Sequence, residues 1–313
     1  MPKQGAMEFS PEELARATRP SVELISDALA AEAFEAAKSL VEQLHTEVCS
    51  MLYGYLSWPR CIARNVQDWQ NEAYWQEMDT GVRRELPDDP PRARDVFGKW
   101  GGLRDALHSA AESGDKQAVL EGARRWHSHA LAVHDSYMNY AALLVSELAR
   151  RFGPDAMQQV LTEIMDPQAM NMSPDTPFRQ RVETLIGFTR LHLLPFQLVE
   201  DHEKMTFIAT PCPSGGRQVL AGLYNGNGRG EIIRGPSATT YGLTELPAYC
   251  CHESALEAAS IRQLGSPLFV VDPATQLGEK PCHVHVYKKA ANIPEHYYRR
   301  VGLQRDADLI ATD

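Results

Sequence analysis

Four of the six cysteines lie in the last third of the chain, and each stands beside a residue that shapes a turn or can bind metal. Two of them are adjacent and are followed at once by His252 and Glu253. Thiolates and imidazoles suit zinc or iron, and a tetrahedral zinc ion takes four protein ligands, or three and a water. The pattern therefore predicts one shared reactive or metal-binding site. Its cysteines are Cys212, Cys250, Cys251 and Cys282.

The predicted elements place these cysteines at the ends of strands and helices. Cys212 follows a predicted strand, Cys250 and Cys251 precede a predicted helix, and Cys282 opens another strand. Side chains at element ends converge on one mouth that a rigid scaffold holds. We therefore expect one zinc or iron ion per chain at the four cysteines.

A further ligand, or a base, has several candidates. In a strand, side chains alternate between two faces, so Cys282 faces one way and His283 and His285 face the other. Both histidines therefore rank below Cys282 as ligands. The full set of candidates is His252, Glu253, Asp272, His283 and His285.

The same atoms allow chemistry without metal. A cysteine at the start of the helix predicted from Glu253 to Leu264, such as Cys251, would feel the positive end of the helix dipole, which favours the thiolate. His252 would then act as its base and Glu253 as the group that orients the base. A third interpretation is that the cysteines are buried or loop residues with no shared role.

His134 belongs to a second candidate group, on the longest predicted helix. A helical histidine is usually a satisfied core or surface group. The functional alternative is that His134, with Asp135 and Tyr137 nearby, lines a substrate pocket against the C-terminal part. The helix carries no H-E-x-x-H motif, which argues against a zinc site of that type.

A third candidate group follows Cys212. Gly215 and Gly216 would let backbone amides approach an anion, and Arg217 would grip a carboxylate through two N–H groups. The alternative is a flexible hairpin turn.

The elements that must position these residues change in type along the chain. Residues Lys116 to Phe152 contain no proline. Two arginines lie in the last turn, and a glycine and a proline follow Phe152, which predicts one long helix with a C-terminal cap. The helical pattern from Ser21 onward is expected to be interrupted at Trp58-Pro59. Strand composition appears only after Lys204. We predict an α+β fold with a flexible arm (1–20), a helical domain (21–165) and a cysteine-rich α+β domain (178–313).

Composition limits the function classes. The chain has 313 residues, of which 43% are hydrophobic and 23% charged, and its net charge is −10. Nucleic-acid binding needs clustered Lys and Arg, which are missing. No apolar run approaches the roughly 20 residues that span a bilayer, and the N-terminus has no apolar signal core. We expect a cytoplasmic protein whose partner is a small-molecule substrate, not a membrane, with a homodimer as an open alternative.

The C-terminal half resembles the L-2-amino-thiazoline-4-carboxylic acid hydrolase family and, more distantly, 4-vinyl-reductase-type small-molecule-binding domains. The resemblance rests on Phe207 to Pro213, on Tyr249 to Glu253 before a helix, on Leu277-Gly278 and on Cys282. It implies an α+β ligand-binding fold with a cysteine-rich site that opens a C–N bond in a small ring. In the sensing relatives, a comparable set holds zinc, which here implies Cys212 or Cys251, Asp272 and Cys282.

These observations predict a metal-assisted hydrolase or lyase that acts on a small polar heterocyclic or amide-like substrate. Cys251 and the metal would act on the reacting group, and His252, Glu253 and His134 would move protons. Two alternatives stay open: a non-catalytic sensor that contains zinc, and a redox enzyme that uses iron at the same cysteines. The predicted substrate-binding residues are Arg217, Gly215, Gly216 and Tyr137.

Overall fold

Long helices make up the N-terminal part of the chain, and small antiparallel sheets lie in the C-terminal part. The computed structural model describes residues 7–86, 88–226 and 229–305. The predicted α+β class is confirmed. The helices are α1 (Pro11–Ala17), α2 (Ser21–Ala30), α3 (Phe34–Trp69), α4 (Glu72–Glu85), α5 (Ala93–Glu112), α6 (Lys116–Phe152), α7 (Pro154–Ile164), α8 (Phe178–Arg190), α9 (Gly215–Leu220), α10 (Cys251–Leu264) and α11 (Glu295–Arg300). The strands are β1 (Gln197–Glu200), β2 (Lys204–Ala209), β3 (Ile232–Arg234), β4 (Glu245–Pro247), β5 (Val270–Asp272) and β6 (Cys282–Tyr287).

Helix α6 has the bounds that the sequence predicts. The Asp115 side chain caps its first turn by accepting a hydrogen bond from the amide of Ala118 at 2.9 Å. Gly153, with φ of +87°, ends the helix, and Pro154 opens α7. Local signals therefore set both ends of α6. The capping carboxylate acts on the first turn, and the positive φ at the other end is a conformation that favours glycine.

The predicted interruption at Trp58-Pro59 is wrong. Helix α3 runs through Pro59, and the break lies at residues 31–33, where Glu32 has φ of +58°. A proline inside a helix costs about 3 kcal/mol or more. Trp58 offsets part of this cost through tertiary packing, since it is 7% exposed and stacks on Tyr249 with ring centroids 5.2 Å apart.

The larger sheet places strands β2 and β6 side by side. Its order is β1-β2-β6-β5, with every pair antiparallel, and β3 pairs with β4 in a separate ribbon. Ala209, at the end of β2, pairs with Cys282, at the start of β6. The chain therefore leaves β2 directly beside Cys282.

Part of the segment predicted as a flexible arm is ordered. Ser10 and Glu13 form a reciprocal capping box at the start of α1. The amides of Glu8 and Phe9 donate to the carboxylate of Glu200, at 2.9 and 3.1 Å, which attaches the segment to the sheet. Residues 1–6 of the arm, and residues 306–313 of the predicted C-terminal domain, lie outside the described residues.

Buried side chains from both parts of the chain form one continuous core. It extends from Phe9 through the long helices to Val286 and Val301. The sequence boundary near residues 166–177 thus separates helix-rich from strand-containing chain, while the core crosses it.

Helices α3 and α4 are amphipathic, with polar residues on their outer faces, whereas most residues of α10 are buried. Within the three described ranges, no helix combines the length and the apolar character that a bilayer crossing requires.

A buried ion pair joins α8 to α2 and α3. The Arg190 guanidinium donates to Glu47 at 2.7 Å, and the two side chains are 9% and 10% exposed. It also donates to the hydroxyl of Ser21 and to the carbonyls of Ala17 and Arg19, at 2.7, 3.0 and 2.7 Å in that order. One side chain therefore satisfies acceptors from three segments.

Replacing Arg190 should strongly destabilise the protein. Arg190→Ala leaves the Glu47 carboxylate buried without its cation, and breaking such a pair costs about 3–5 kcal/mol. Urea unfolding followed by circular dichroism measures the loss. Arg16→Ala is the control, because Arg16 is exposed in α1 and its loss should change the free energy of unfolding by less than about 0.5 kcal/mol. Equal effects of the two substitutions would contradict this assignment.

Candidate functional site at the Cys212 loop

The candidate site is built around the Cys212 loop, which we define as residues 210–217, from the end of β2 through the first residues of α9. The loop turns back on itself, since the amide of Arg217 donates to the carbonyl of Cys212 at 3.1 Å. The next residue, Gln218, donates its amide to the carbonyl of Ser214 at the same distance. The turn folds the first residues of α9 over Cys212.

The Cys212 sulfur lies among hydrogen-bond donors. The neighbouring Cys282 side chain, together with the amides of Gly216 and Ser214, lowers the pKa of Cys212, although burial works in the other direction. The Ser214 hydroxyl lies 3.6 Å from the sulfur. The hydrogen bond to Cys212 and burial together raise the pKa of Cys282. The pair is therefore a thiolate at Cys212 and a thiol at Cys282.

The two glycines of the loop permit this close approach. A β-carbon at Gly215 would lie 2.4 Å from the Cys250 sulfur, and one at Gly216 would lie 2.9 Å from the Cys212 β-carbon. The sequence predicts that these glycines let amides approach a substrate anion. In the structure, the Gly216 amide approaches the sulfur of Cys212 in its own loop.

Cys250 and Cys251 have different surroundings. The Cys250 sulfur lies against Gly215, and burial and the Cys212 charge raise its pKa. Cys251 is fully buried, its sulfur lies 3.7 Å from the Pro247 carbonyl, and burial raises its pKa to about 12. The structure therefore favours Cys212 over Cys251 as the reactive thiol.

The predicted metal ligands are only partly brought together. Across the ranges 7–86, 88–226 and 229–305, no group of three or more His, Cys, Asp or Glu side chains is arranged to hold a metal ion. Asp272 accepts from His285 at 3.0 Å and from the Tyr297 hydroxyl at 3.0 Å, on the face of β6 opposite to Cys282. His285 thus lies away from Cys282, as the alternation of strand side chains predicts.

His134 is the centre of a buried polar chain between the helices. Its Nδ1 lies 3.0 Å from Asp135 Oδ1, and its Nε2 lies 2.9 Å from His192 Nδ1 and 3.3 Å from the Tyr55 hydroxyl. Burial, then the neighbouring His134, lowers the pKa of His192 to about 3, so this ring is neutral. The Asp135 carboxylate accepts from His134 Nδ1, and His134 Nε2 lies against both His192 and Tyr55.

Asp135 joins this chain of hydrogen bonds to the Cys212 loop. Its second oxygen accepts from the Arg217 guanidinium. Burial disfavours the Asp135 charge, but the hydrogen bonds from His134 and Arg217 outweigh burial and lower its pKa. The hydrogen bonds therefore run from the Cys212 loop through Asp135 into the core.

His252 and Glu253 form an ion pair at the start of α10. His252 Nδ1 lies 2.6 Å from the Tyr249 carbonyl, and Nε2 lies 3.2 Å from Glu253. Burial opposes the charged ring, but Glu253 and the carbonyl outweigh burial and raise the pKa of His252. Both ring nitrogens thus have fixed partners, and the ring packs edge-on against Trp58. This arrangement favours positioning of Tyr249 over proton transfer to a substrate.

A surface cleft of about 300 Å³ lies beside the loop. Pro211 and Arg217 of the Cys212 loop line it, together with Asp135, which accepts the hydrogen bond from Arg217. Tyr137, a predicted substrate-binding residue, donates its hydroxyl to the Pro91 carbonyl at 2.5 Å on another side of α6. The cleft is completed by Met138, Asn139, Leu220 and Ala221.

Tyr55 and His192 belong to the site but are not among the residues predicted from the sequence. Tyr55 continues the apolar stripe of Val48 and Leu52 at steps of three and four, so its buried position was detectable although its partner was not. His192 follows α8 between two leucines, and no spacing in the sequence connects it to His134.

The Cys212 thiolate should be visible in alkylation kinetics. The iodoacetamide rate at Cys212 should rise and level off at a pH below the ordinary cysteine pKa of about 8.5, because the pKa of Cys212 is lowered. In Cys282→Ala the donor is gone, so the apparent pKa should move toward the ordinary value of about 8.5 and the rate at pH 6 should fall roughly tenfold. Cys282→Ser keeps a hydroxyl donor and should retain a lowered pKa.

Peptide mapping by mass spectrometry gives the rate at each thiol. Cys49 is the internal control, because it lies on α3 and its pKa is raised by burial. An unchanged Cys212 profile in Cys282→Ala would contradict the thiol–thiolate pair.

Comparison with known proteins supplies no identity for this site. No protein-family model, no curated protein and no solved structure matches the chain. The resemblance to the thiazoline carboxylate hydrolases therefore remains a proposal, and function has to be argued from the site itself.

Proposed function

We propose that this protein is a hydrolase or lyase in which Cys212 attacks a small heterocyclic or amide-like substrate that carries a carboxylate. The observation that carries this proposal is the set of donors around one sulfur, namely Cys282 and the amides of Ser214 and Gly216. A thiolate is the reactive form of cysteine, and fixed donors hold that form without a separate base.

The cleft supports the substrate class. Arg217 and Asp135 both line it and share one hydrogen bond, so opposite charges stand side by side at its wall. A guanidinium has five N–H groups and can bind a carboxylate in addition to Asp135. The pair suits a small molecule with one acidic and one basic group, such as an amino-acid-like ring.

The reaction follows from the two sulfurs. The Cys212 sulfur forms a bond to the electrophilic carbon of the C–N unit, and the C–N electron pair passes to the nitrogen. The leaving nitrogen takes a proton, for which the Cys282 thiol beside Cys212 is the available donor. Water then adds to the carbon and returns a proton to the Cys282 thiolate, the C–S bond breaks, and the Cys212 thiolate is restored.

Metal assistance stays a second candidate, on the observation that Cys212 and Cys282 lie side by side. Two thiolates form half of a tetrahedral zinc or iron site, and a bound ion would polarise the substrate and activate water. A non-catalytic sensor would use the same cleft without turnover.

Turnover of small carboxylate-bearing thiazolines, cyclic amidines and amides tests the proposal. Cys212→Ala should abolish turnover, and wild-type protein quenched during turnover should carry a covalent adduct on Cys212 by mass spectrometry. Cys49→Ala is the matched control and should leave turnover unchanged. Binding of these compounds without turnover would favour the sensor.

Metal dependence separates the two chemistries. Dialysis against a chelator should leave turnover unchanged if the thiolate acts alone. Loss of turnover on chelation, with recovery on adding zinc or iron, would favour the metal-assisted mechanism instead.

Arg217 should act on substrate binding. Arg217→Met removes the guanidinium, so KM for a carboxylate substrate should rise at least about tenfold, since a charge-assisted hydrogen bond contributes about 1.5–3 kcal/mol. The same substitution should change KM much less for an analogue without the carboxylate. The exposed Arg234 provides the control, Arg234→Met. Equal effects on both substrates would contradict this role.

A further inference from the structure

Two sulfurs from distant parts of the sequence meet at this site. Ala209 and Cys282 are partners in the β2–β6 pairing, and Cys212 follows Ala209 by three residues. The Cys282 side chain acts on the Cys212 thiol from the neighbouring strand, and both residues are partly exposed. The amide of Ala274 donates a hydrogen bond to the Cys282 sulfur at 3.4 Å, which helps to fix the position of that sulfur. Two thiols held in this way need little movement to form a bond.

We propose that Cys212 and Cys282 form a dithiol redox centre that reduces a hydroperoxide and closes into a disulfide. This inference does not rest on the proposed hydrolysis, because it needs only the two sulfurs and an oxidant. Hydroperoxides are small and polar enough to enter the cleft beside the loop.

The chemistry has two steps. The Cys212 thiolate attacks the terminal peroxide oxygen and the O–O bond breaks. The other oxygen leaves as hydroxide from hydrogen peroxide, or as alkoxide from an organic hydroperoxide, and takes a proton from solvent to become water or an alcohol. Cys212 is thereby oxidised by two electrons to sulfenic acid, and the peroxide is reduced. The Cys282 sulfur then attacks the Cys212 sulfur and loses its proton, the S–O bond breaks, and water leaves. An external dithiol reverses the bond by thiol–disulfide exchange.

The surroundings select Cys282 as the resolving thiol. The Cys250 sulfur packs directly against Gly215 of the Cys212 loop. Cys251 is fully buried, with its sulfur beside the Pro247 carbonyl. Cys282 instead opens the strand that pairs with β2, directly beside the start of the Cys212 loop. The disulfide should therefore be Cys212–Cys282.

Closing this bond would remove the nucleophile of the proposed hydrolase. The same sulfur would then serve two chemistries, hydrolysis while the pair is reduced and peroxide reduction as the pair is oxidised. A reducing surrounding would keep the hydrolytic form.

Hydrogen peroxide and the full-length chain test the proposal. Treated wild-type protein should lose two free thiols, and peptide mapping should find Cys212 linked to Cys282. Dithiothreitol should restore both thiols. Cys282→Ser should instead accumulate sulfenic acid on Cys212, which dimedone traps, while Cys250→Ser should form the same disulfide as wild type.

Several results would overturn the proposal. These are retention of all thiols in wild type, a Cys212–Cys250 link, or equal dimedone labelling of wild type and Cys282→Ser. Circular dichroism of each variant shows whether it is folded, and peroxide treatment of folded Cys251→Ser provides a further variant that should still form the disulfide. Because thiol mapping needs no substrate, failure of the hydrolase assay leaves this test unaffected.

Discussion

The pairing of buried polar groups between the helices is the constraint on which the site depends. His134 is fully buried on α6, and an unpaired polar group in such a place costs about 1–3 kcal/mol. Its partners Asp135, His192 and Tyr55 satisfy it, and they come from α6, the end of α8 and α3. Satisfying one ring therefore fixes three helical segments relative to one another. Arg217 extends the network to the Cys212 loop, so the cleft wall is held by the same hydrogen bonds.

Elements set by local chemistry were predictable, and elements set by distant contacts were not. The bounds of α6 follow from a capping aspartate, basic residues in the last turn and a glycine, all within one turn of each end. The course of α3 through Pro59 depends on packing of Trp58 against Tyr249, which no pattern near Pro59 reveals. The edge strand Gln197–Glu200 is short and lies beside β2 only, so its sequence carries little alternation.

The candidate site was predictable in composition and not in geometry. The sequence indicates which cysteines stand at element ends, but the choice between Cys250 and Cys251 depends on direction. Neighbouring residues at the start of a helix point about 100° apart. Cys251 turns toward the Pro247 carbonyl, and Cys250 turns toward the Cys212 loop. The contact of Cys212 with Cys282 follows from the register of β2 on β6, and register between distant strands is a property of the folded sheet.

Strand β6 separates two kinds of chemistry on its two faces. Cys282 faces the Cys212 loop, while His285 on the other face donates to Asp272, which also pairs with Arg300. Arg300 donates to Glu257 on α10, where burial raises the pKa of the Glu257 carboxyl to about 8, although Arg300 lowers it. This second network attaches α10 and α11 to the sheet and fixes the strand that carries Cys282. The position of the Cys282 sulfur is therefore set by a rigid element. The Cys212 loop, with its two glycines, is the part that can adjust when the sulfur bonds to a substrate or to Cys282.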